Sequence, residues 1–461
     1  MIILNQYRSQ IIEGKLGHQA IDCNMKCKII LLFYVVCLLG ACNGKKEKLN
    51  IDRADIIHQD VDQLTKLIIY DVFSPPVASR IYAYTSLAAY ETIRFEKPNE
   101  YKSLAPLLNH FPKLPEPDSN KEYDFTLAAT KAYFSVARKM TFSVDSFLNY
   151  ENKVYNTFKA SLDDSVYARS MDFGEAVANV IAKRSANDNY LKSRSKPKFL
   201  GSEEPGKWRP TPPSYFDGVE YCWGDMSAFV IDSSNQFSPP PPPAYSEDTS
   251  SFFYKANQYV YNTSKTLTDE QKDIARFWDD NPFVVEHVGH MMYANKKITP
   301  GGHWMGITEI ACKKINADEV KSAQAYALTA MTIFDAFIGC WQEKYKSNVI
   351  RPVTVINEKM DPDWLPYLQT PPFPEYPSGH STITRAAATI LTHLFGDNFS
   401  FLDTSDLEYI GMQREFKSFV QAADEASISR VYGGIHYVHS VNAGAEQGKA
   451  IGEYILHKLK L

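Results

Sequence analysis

Three short segments between residues 344 and 436 place cationic, hydroxyl and imidazole side chains in a region that is otherwise apolar and helical in pattern. The first contains Lys344 and Arg351, separated by six residues, with Pro352 directly after. If a helix continued through it, the two cations would lie about two turns apart on one face. Pro352 ends or bends that helix. Such a pair by itself is usually a pair of solvated surface charges.

The second segment is Pro377-Ser378-Gly379-His380, which follows a proline-rich approach and precedes an apolar helical stretch. Ser378 stands where an N-cap belongs, and Gly379 lets the backbone approach a ligand closely. A helix N-terminus with free N–H groups is a ready oxyanion site, and His380 would stand beside the anion. An ordinary capped helix is the alternative for this segment.

The third segment holds Arg430 and His436 on either side of Gly433-Gly434, so both side chains can converge on one point. Together the three segments supply three cations, a helix N-terminus and two histidines. That set suits a tetrahedral oxyanion of charge about −2 or −3, with charge-assisted bonds to its oxygens. One histidine can attack or ligate the central atom, and the other can transfer protons.

Helices are expected to position these segments, because a helical period runs through most of the chain from about residue 55. In residues 173–186, for example, apolar side chains recur at three- and four-residue steps. No sustained two-residue alternation is present, so we predict an all-α, multi-helix bundle without a β-sheet core. Comparable helical patterns cover residues 61–72, 77–95, 122–141, 143–160, 268–279, 284–295, 301–315, 318–342, 379–395, 405–428 and 441–459.

The composition is that of a globular protein: 44% of the 461 residues are apolar and 22% are charged. A net charge of −5 without a long basic run excludes an electrostatic nucleic-acid binder. We expect residues 56–461 to form a single helical catalytic domain, with the chemistry-bearing motifs in 330–461. Cys222, Cys312 and Cys340 are too scattered for a disulfide framework or a CxxC metal site, and are expected to be free thiols.

Residues 195–250 interrupt the helical pattern and include the five-proline run Pro239–Pro243. Proline fixes φ and removes an N–H donor, so polyproline II is expected there. We predict a rigid excursion that lies over the helices, with a PxxP ligand for a partner protein as the alternative.

The N-terminal region has the pattern of an export signal. Residues 29–41 form an apolar run of thirteen after Lys26 and Lys28, too short to span a bilayer comfortably. The run ends in Leu-Gly-Ala-Cys42, which resembles a bacterial lipobox. We therefore expect translation to begin after residue 24, so that residues 1–24 are not part of the natural protein. The segment up to residue 41 is then expected to be a lipoprotein signal peptide, and residues 42–55 a tether. Lipidation of Cys42 would anchor the protein in the cell envelope; an ordinary cleaved signal is the alternative.

The motifs K-x6-RP, PSGH and SR-x5-H, in this order, resemble those shared by type 2 phosphatidic acid phosphatases and vanadium-dependent haloperoxidases. The likeness covers about residues 275–450. Trp341 and Phe373 match the pair that lines the halide pocket in chloroperoxidase-type members. The segment 277–280 resembles the one whose aspartate pairs with the motif-three arginine, Arg430 here. Asp280 is our choice for that aspartate, with Asp279 second.

The resemblance to haloperoxidases implies a vanadate cofactor and specific roles for these residues. His436 would be the only covalent ligand of vanadium, and His380 the acid/base. Hydrogen peroxide would oxidise a halide to a hypohalous-acid equivalent, which halogenates a small organic acceptor. Family members are mostly antiparallel helical bundles and often homodimers. The residues that would hold vanadate are Lys344, Arg351, Ser378, Gly379 and Arg430.

Two other functions stay open. An acid phosphatase would use the same pocket with His436 as nucleophile, but phosphatases usually carry an aspartate four residues later, where this chain has Ser440. Because Ser440 stands in place of that aspartate, it also stays open which residue orients His436 in a haloperoxidase. A lipid-anchored oxyanion-binding protein without turnover is the third function. A divalent metal site at His287, His290 and His303 is disfavoured, because no HExxH pattern accompanies them.

Overall fold

The computed structural model describes residues 51–282, 284–288, 291–294 and 296–461, and helices dominate these ranges, as predicted. Two antiparallel pairs of short strands, β1 with β2 and β3 with β4, accompany the helices. The helices are α1 (Arg53–Tyr70), α2 (Pro75–Ile93), α3 (Phe125–Ala137), α4 (Leu148–Ser161), α5 (Asp164–Ser185), α6 (Tyr190–Arg194), α7 (Phe252–Lys265), α8 (Asp269–Phe277), α9 (Pro300–Lys314), α10 (Glu319–Ser347), α11 (Pro352–Lys359), α12 (Gly379–Phe395), α13 (Leu407–Ile410), α14 (Phe419–Tyr432) and α15 (Val438–Leu459). The strands are β1 (Val285–Val288), β2 (Met291–Ala294), β3 (Phe401–Asp403) and β4 (Arg414–Phe416).

Helix α10 lies at the centre of the bundle and packs against α2 on one side and α12 on the other. Its N-cap is Asp318, whose side chain accepts a hydrogen bond from the Lys321 N–H at 2.8 Å. By length and composition this helix could cross a membrane, but 94% of its most apolar window is buried inside the protein. That burial is typical of a core helix. Around it, α2 also packs on α3, and α3 on α5.

Helix α12 is held against α15 at backbone contact distance. A Cβ atom on Gly444 would lie 2.5 Å from the carbonyl oxygen of Ser378, and one on Gly448 would lie 2.1 Å from that of Thr382. Neither position has room for a methyl group. The two glycines therefore let α15 set the place of the α12 N-terminus.

Residues 195–250 contain no α-helix or strand, and Trp223, Phe229 and Val230 from this stretch belong to the hydrophobic core. Asp335 of α10 fixes one part of this excursion, because its buried carboxylate accepts bonds from three consecutive N–H groups, Phe229, Val230 and Ile231, at 2.7–3.0 Å. Burial raises the pKa of Asp335 to about 6. The hydroxyl of Tyr376 donates to the carbonyl oxygen of Pro240 and anchors the proline run.

Two local predictions are wrong. Residues 284–295 contain the β1–β2 hairpin, because three valines precede a glycine and the short apolar run carries no unique period. Residues 405–428 are divided between α13, β4 and the start of α14. The helix that carries Lys344 does not continue to Arg351: the C-cap of α10, Asn348, is left-handed with φ 52°, and Arg351 is the N-cap of α11.

Candidate active site

One cavity of about 480 Å³, its mouth included, is lined by residues of α2, α9, α10, α12 and α14 and of the loops after α8, α11 and α14. It brings together most of the residues predicted from the motifs. Lys344, Arg351 and Ser378 are buried directly behind this lining. The predicted residues on its wall are Asp280, Trp341, Phe373, Gly379, His380, Arg430 and His436.

The N-terminus of α12 forms one side of the cavity, and Ser378 is its N-cap, as predicted. The Ser378 hydroxyl oxygen accepts from both the N–H of Ser381, at 3.4 Å, and its hydroxyl, at 2.9 Å. A Cβ atom on Gly379 would lie 3.3 Å from the Trp341 ring and 3.6 Å from Cε of Lys344. Glycine therefore lets the ring and the lysine approach the first turn of α12.

Lys344 is fully buried, and its ammonium group donates to three main-chain oxygens. Nζ lies 3.0 Å from the carbonyl of Pro374, 3.1 Å from that of Glu375 and 2.5 Å from that of Pro377. An ammonium has three N–H donors, so these carbonyls use all of them. Lys344 thus supplies its charge to the pocket while its hydrogen bonds hold the 374–377 loop. Burial lowers its pKa to about 7.

The two arginines are also buried and also bind carbonyl oxygens. Arg351 donates through Nε to Phe373 at 2.9 Å and through Nη1 to Ile435 at 2.8 Å. Arg430 donates through Nη2 to Trp278 at 2.5 Å, and its Nη1 has no hydrogen-bond partner among the described residues. Burial is the main cause that lowers the pKa of both guanidinium groups.

The expected pair between Arg430 and Asp280 is not formed. Asp280 instead places Oδ1 3.1 Å from Nδ1 of His303 and Oδ2 3.7 Å from Nε2 of His380. Asp279, the second choice, pairs with Lys297 at 2.6 Å. The physical reason is competition: the carbonyl of Trp278 occupies Arg430, and a buried histidine is nearer to Asp280.

His303 lies at the centre of a buried cluster that the sequence did not predict. Its Nδ1 is 3.1 Å from Asp280 and 3.6 Å from Asp406, its Nε2 is 3.0 Å from Asp403, and its ring stacks on Trp278. These three carboxylates raise the pKa of His303 well above 6.5 despite its burial. His303 is therefore an imidazolium. Of its suggested metal partners, His290 and the side chain of His287 lie outside the described residues.

His380 reaches the cavity with 15% of its side chain exposed. Its Nε2 is buried and has no hydrogen-bond partner, and the ring bonds with the main chain of Trp278. Burial, together with Arg430 and His303, lowers the pKa of His380 well below 6.5. A neutral ring with a free Nε2 can accept a proton from a molecule in the cavity.

His436 is held by a residue that the motif analysis missed, Glu375. Nδ1 of His436 lies 2.8 Å from Oε1 of Glu375, and Nε2 lies 3.2 Å from Nη1 of Arg351. Ser440 donates its hydroxyl to Oε2 of the same glutamate at 2.6 Å. The signal was present, since Glu375 is a lone carboxylate among prolines and aromatics just before the PSGH motif.

An aromatic wall faces these polar groups. The rings of Trp341 and Phe373 lie 5.0 Å apart, and Phe337 lies 5.1 Å from Trp341. Lys344 Nζ and the Arg351 guanidinium each lie 5.1 Å from the Phe373 ring centre, within reach of a cation–π contact. The two residues predicted for a halide pocket are thus adjacent and beside the cations.

The cavity fits a tetrahedral oxyanion such as vanadate. Among the described residues, none of Lys344, Arg351 and Arg430 has a carboxylate oxygen within 4.0 Å. A buried cation without a counter-ion is costly, so a bound anion would complete the site. The α12 N-terminus and the free nitrogen atoms of His380 and Arg430 supply hydrogen-bonding groups.

Comparisons with known proteins agree with this geometry. The family description "VCPO second helical-bundle domain" matches residues 324–461. A solved structure described as the first bacterial vanadium-dependent iodoperoxidase is 45% identical, with a TM-score of 0.84, over 90% of this chain and 98% of that one.

A bacterial vanadium-dependent chloroperoxidase has the same fold in two crystal structures. Its holo form is 17% identical with a TM-score of 0.66, covering 86% of this chain and 94% of that one. Its apo form is 16% identical with a TM-score of 0.65, covering 84% and 94%. No curated protein sequence matches the chain. At 45% identity over nearly the whole length of the iodoperoxidase, the chain belongs to the vanadium-dependent haloperoxidases.

Proposed function

We propose that this protein binds vanadate in the cavity between α10, α12 and α14 and uses hydrogen peroxide to oxidise iodide. The observation that carries the proposal is the set of three buried cations without carboxylate partners beside two neutral histidines. The overall reaction is H₂O₂ + I⁻ + H⁺ → HOI + H₂O. Peroxide is reduced by two electrons, and iodide is oxidised by two.

The residues divide the work of holding vanadate. Lys344, Arg351 and Arg430 would offset its negative charge, and the first turn of α12 would supply N–H groups for its oxygens. Nε2 of His436 would be the ligand to the metal. Vanadium(V), when bound, supplies Lewis acidity that makes a peroxide oxygen electrophilic. Since the charges are fixed in a buried site, little reorganisation is needed when the peroxide arrives.

His380 is proposed to move the protons. Its Nε2 is unprotonated at neutral pH and has no partner, so it can take a proton from incoming hydrogen peroxide. The protonated ring then gives that proton to the hydroxide that peroxide displaces from vanadate, and this hydroxide leaves as water. Asp280, 3.7 Å from Nε2, stabilises the transient imidazolium.

Iodide is proposed because the 45% identical solved relative is described as an iodoperoxidase. The wall formed by Trp341 and Phe373 suits a large, polarisable anion of weak hydration. A small organic molecule would accept the halogen from HOI.

The test is to assay the purified protein, stripped of vanadate and reloaded, for iodide and bromide oxidation with hydrogen peroxide. Iodide oxidation that requires vanadate and disappears in His436→Ala supports the proposal. In parallel, p-nitrophenyl phosphate hydrolysis that vanadate inhibits, without halide oxidation, would make the protein a phosphatase with His436 as nucleophile. Inactivity in both assays, with vanadate still bound, would indicate a binding protein.

We also propose that Cys42 carries a lipid and that the protein faces outward from a cell-envelope membrane. The support is the basic flank, the thirteen-residue apolar run and the Leu-Gly-Ala-Cys42 sequence, which lie outside the described residues. In cells, Cys42→Ser is expected to move the protein from the membrane fraction to the soluble envelope fraction. Unchanged membrane association would contradict this proposal.

A further inference from the structure

Glu375 is a fully buried carboxylate whose hydrogen-bond donors all come from residues 436–440. Oε1 accepts from Nδ1 of His436 at 2.8 Å and from the N–H of Tyr437 at 3.0 Å. Oε2 accepts from the Ser440 hydroxyl at 2.6 Å. Since its exposed fraction is 0%, water does not compete for these bonds. One side chain thus fixes the segment that carries His436.

The contacts of His436 determine which ring nitrogen carries the proton. Nε2 lies 3.2 Å from Nη1 of Arg351, and a guanidinium can only donate. Nε2 must therefore be the unprotonated nitrogen, which accepts this bond. The proton lies on Nδ1, where Glu375 accepts it.

The backbone of Glu375 is fixed as firmly as its side chain. Its N–H donates to the carbonyl of Val349 at 2.9 Å, and its carbonyl accepts from Nζ of Lys344 at 3.1 Å. A carboxylate anchored at both main-chain groups can hold an imidazole in one orientation. Metal-binding histidines are commonly oriented by such a partner on the second nitrogen.

We propose that Glu375 is the positioning residue of His436: it keeps the proton on Nδ1 and so leaves Nε2, beside Arg351 at the cavity wall, unprotonated. This inference rests on the proposed function, in which Nε2 binds vanadium. It also accounts for Ser440, whose hydroxyl donates to the other oxygen of the glutamate and holds it in place. The orienting carboxylate comes from the loop before α12.

The first test measures vanadate affinity by calorimetry on the apo-protein. Glu375→Ala is expected to weaken binding about 10- to 100-fold, as the loss of an orienting partner commonly does. Glu375→Gln, whose amide oxygen can still accept from Nδ1, is expected to lose less than Glu375→Ala. Ser440→Ala is the matched control: it removes a bond to the same carboxylate but leaves the His436 contact, and is expected to lose less than about threefold.

The second test reads the tautomer by ¹⁵N NMR of histidine-labelled apo-protein, with the His436 signal assigned from its absence in His436→Ala. The wild type is expected to show the Nδ1–H tautomer, and Glu375→Ala a mixture of both tautomers. A purely structural glutamate would not move this signal. If Glu375→Ala fails to fold, the wild-type spectrum still decides, because an Nε2–H tautomer there would overturn the inference.

A third variant replaces the lost Glu375 carboxylate with one on helix α15. Glu375→Ala combined with Ser440→Asp is expected to recover at least part of the lost vanadate affinity and the Nδ1–H signal. Unchanged affinity in Glu375→Ala, while the wild type binds vanadate and oxidises iodide, would overturn the positioning role alone. A wild type that binds no vanadate would instead overturn the proposed function.

Discussion

Two buried charged regions lie side by side in this protein, and they differ in the groups that surround their cations. In the cluster of His303, one imidazolium has three carboxylates around it, within 3.0–3.6 Å. In the cavity, three cations bind main-chain carbonyls, and Lys344 and Arg351 also face an aromatic ring, but no carboxylate of the described residues lies within 4.0 Å of them. Trp278 joins the regions, because its ring stacks on His303 and its carbonyl accepts from Arg430.

This difference in partners distinguishes a cluster of charges that pair with one another from a site that binds a charged ligand. Burying a charge is costly unless the protein or a ligand supplies its partner. The His303 cluster contains its own partners and even an excess of negative charge. In the cavity, Glu375, Asp279 and Asp280 act on the cations only from a longer distance, so an anion from outside can still bind the cations directly. The predictions below test this contrast.

The largest expected effect is on stability, at His303. His303→Gln leaves Asp280, Asp403 and Asp406 without a cation, and is expected to lower the free energy of unfolding by about 3–5 kcal/mol. Denaturant unfolding of the apo-protein measures it. The control is His393→Gln on the exposed face of α12, expected to stay within about 0.5 kcal/mol. Equal small losses in both variants would show that His303 is not a needed counter-ion.

The reverse pattern is expected at Arg430. Arg430→Met should weaken vanadate binding about 10²- to 10³-fold, because a buried oxyanion donor is lost. Without vanadate its free energy of unfolding should fall by less than about 2 kcal/mol, since removal of an unpaired buried charge offsets the lost carbonyl bonds. Arg385→Met, which loses a pair with the exposed Asp424, is the control for both measurements. A larger stability loss than affinity loss would contradict the contrast.

A smaller effect is expected from the excess carboxylate in the His303 cluster. Burial raises the pKa of Asp406 to about 7 from its ordinary 3.8. The folded protein thus binds this proton more tightly than the unfolded chain does, and the contribution of Asp406 to wild-type stability falls as pH rises from about 4 through 7. The asparagine of Asp406→Asn does not ionise, so this loss of stability with rising pH is absent in the variant. Its stability relative to wild type should increase by on the order of 1–2 kcal/mol between pH 5 and 8, measured by urea unfolding.

The same variant offers an internal check. If Asp406 stabilised His303 more than it repelled Asp280 and Asp403, Asp406→Asn would be less stable than wild type, and increasingly so as pH rises. That outcome would show that the cluster has no excess of negative charge.

The smallest effect is expected at the aromatic face that partly replaces carboxylates in the cavity. Phe373→Leu removes the ring beside Lys344 and Arg351, and should destabilise the apo-protein by about 1 kcal/mol more than Phe337→Leu does. Phe337 also packs on Trp341 and lines the cavity, but no described cation lies over its ring. Chemical unfolding of the two variants gives the difference; equal losses would remove the cation–π contribution.

Sequence reasoning predicted the residues that local pattern determines. The N-cap at Ser378 and the full extent of α12 followed from a hydroxyl, a glycine and an apolar period. The hairpin at 285–294 was missed because a short apolar run fits either period. The convergence of Lys344, His380, Arg430 and His436 was predicted through motif order rather than through geometry.

Partnerships across the fold could not be predicted in the same way. Glu375 and His436 are separated by 61 residues, and His303 and Asp403 by 100. Nothing local indicates that Asp280 binds His303 rather than Arg430, because the choice depends on where Trp278 places its carbonyl. Such choices are made by tertiary packing, and a single sequence does not encode them in any short pattern.

The contact between α12 and α15 also limits how this protein can change over evolution. At Gly444 an added methyl would press on the carbonyl of Ser378, the residue that opens the oxyanion-binding turn. Cβ of Ser381 and Oγ1 of Thr382 would lie 3.0 and 3.1 Å from the same methyl, so the contact has no space to absorb a displacement. A substitution at these glycines would therefore displace the first turn of α12 and, with it, the active site. Helix α15 is thus constrained by the active site although it contributes none of the proposed catalytic side chains.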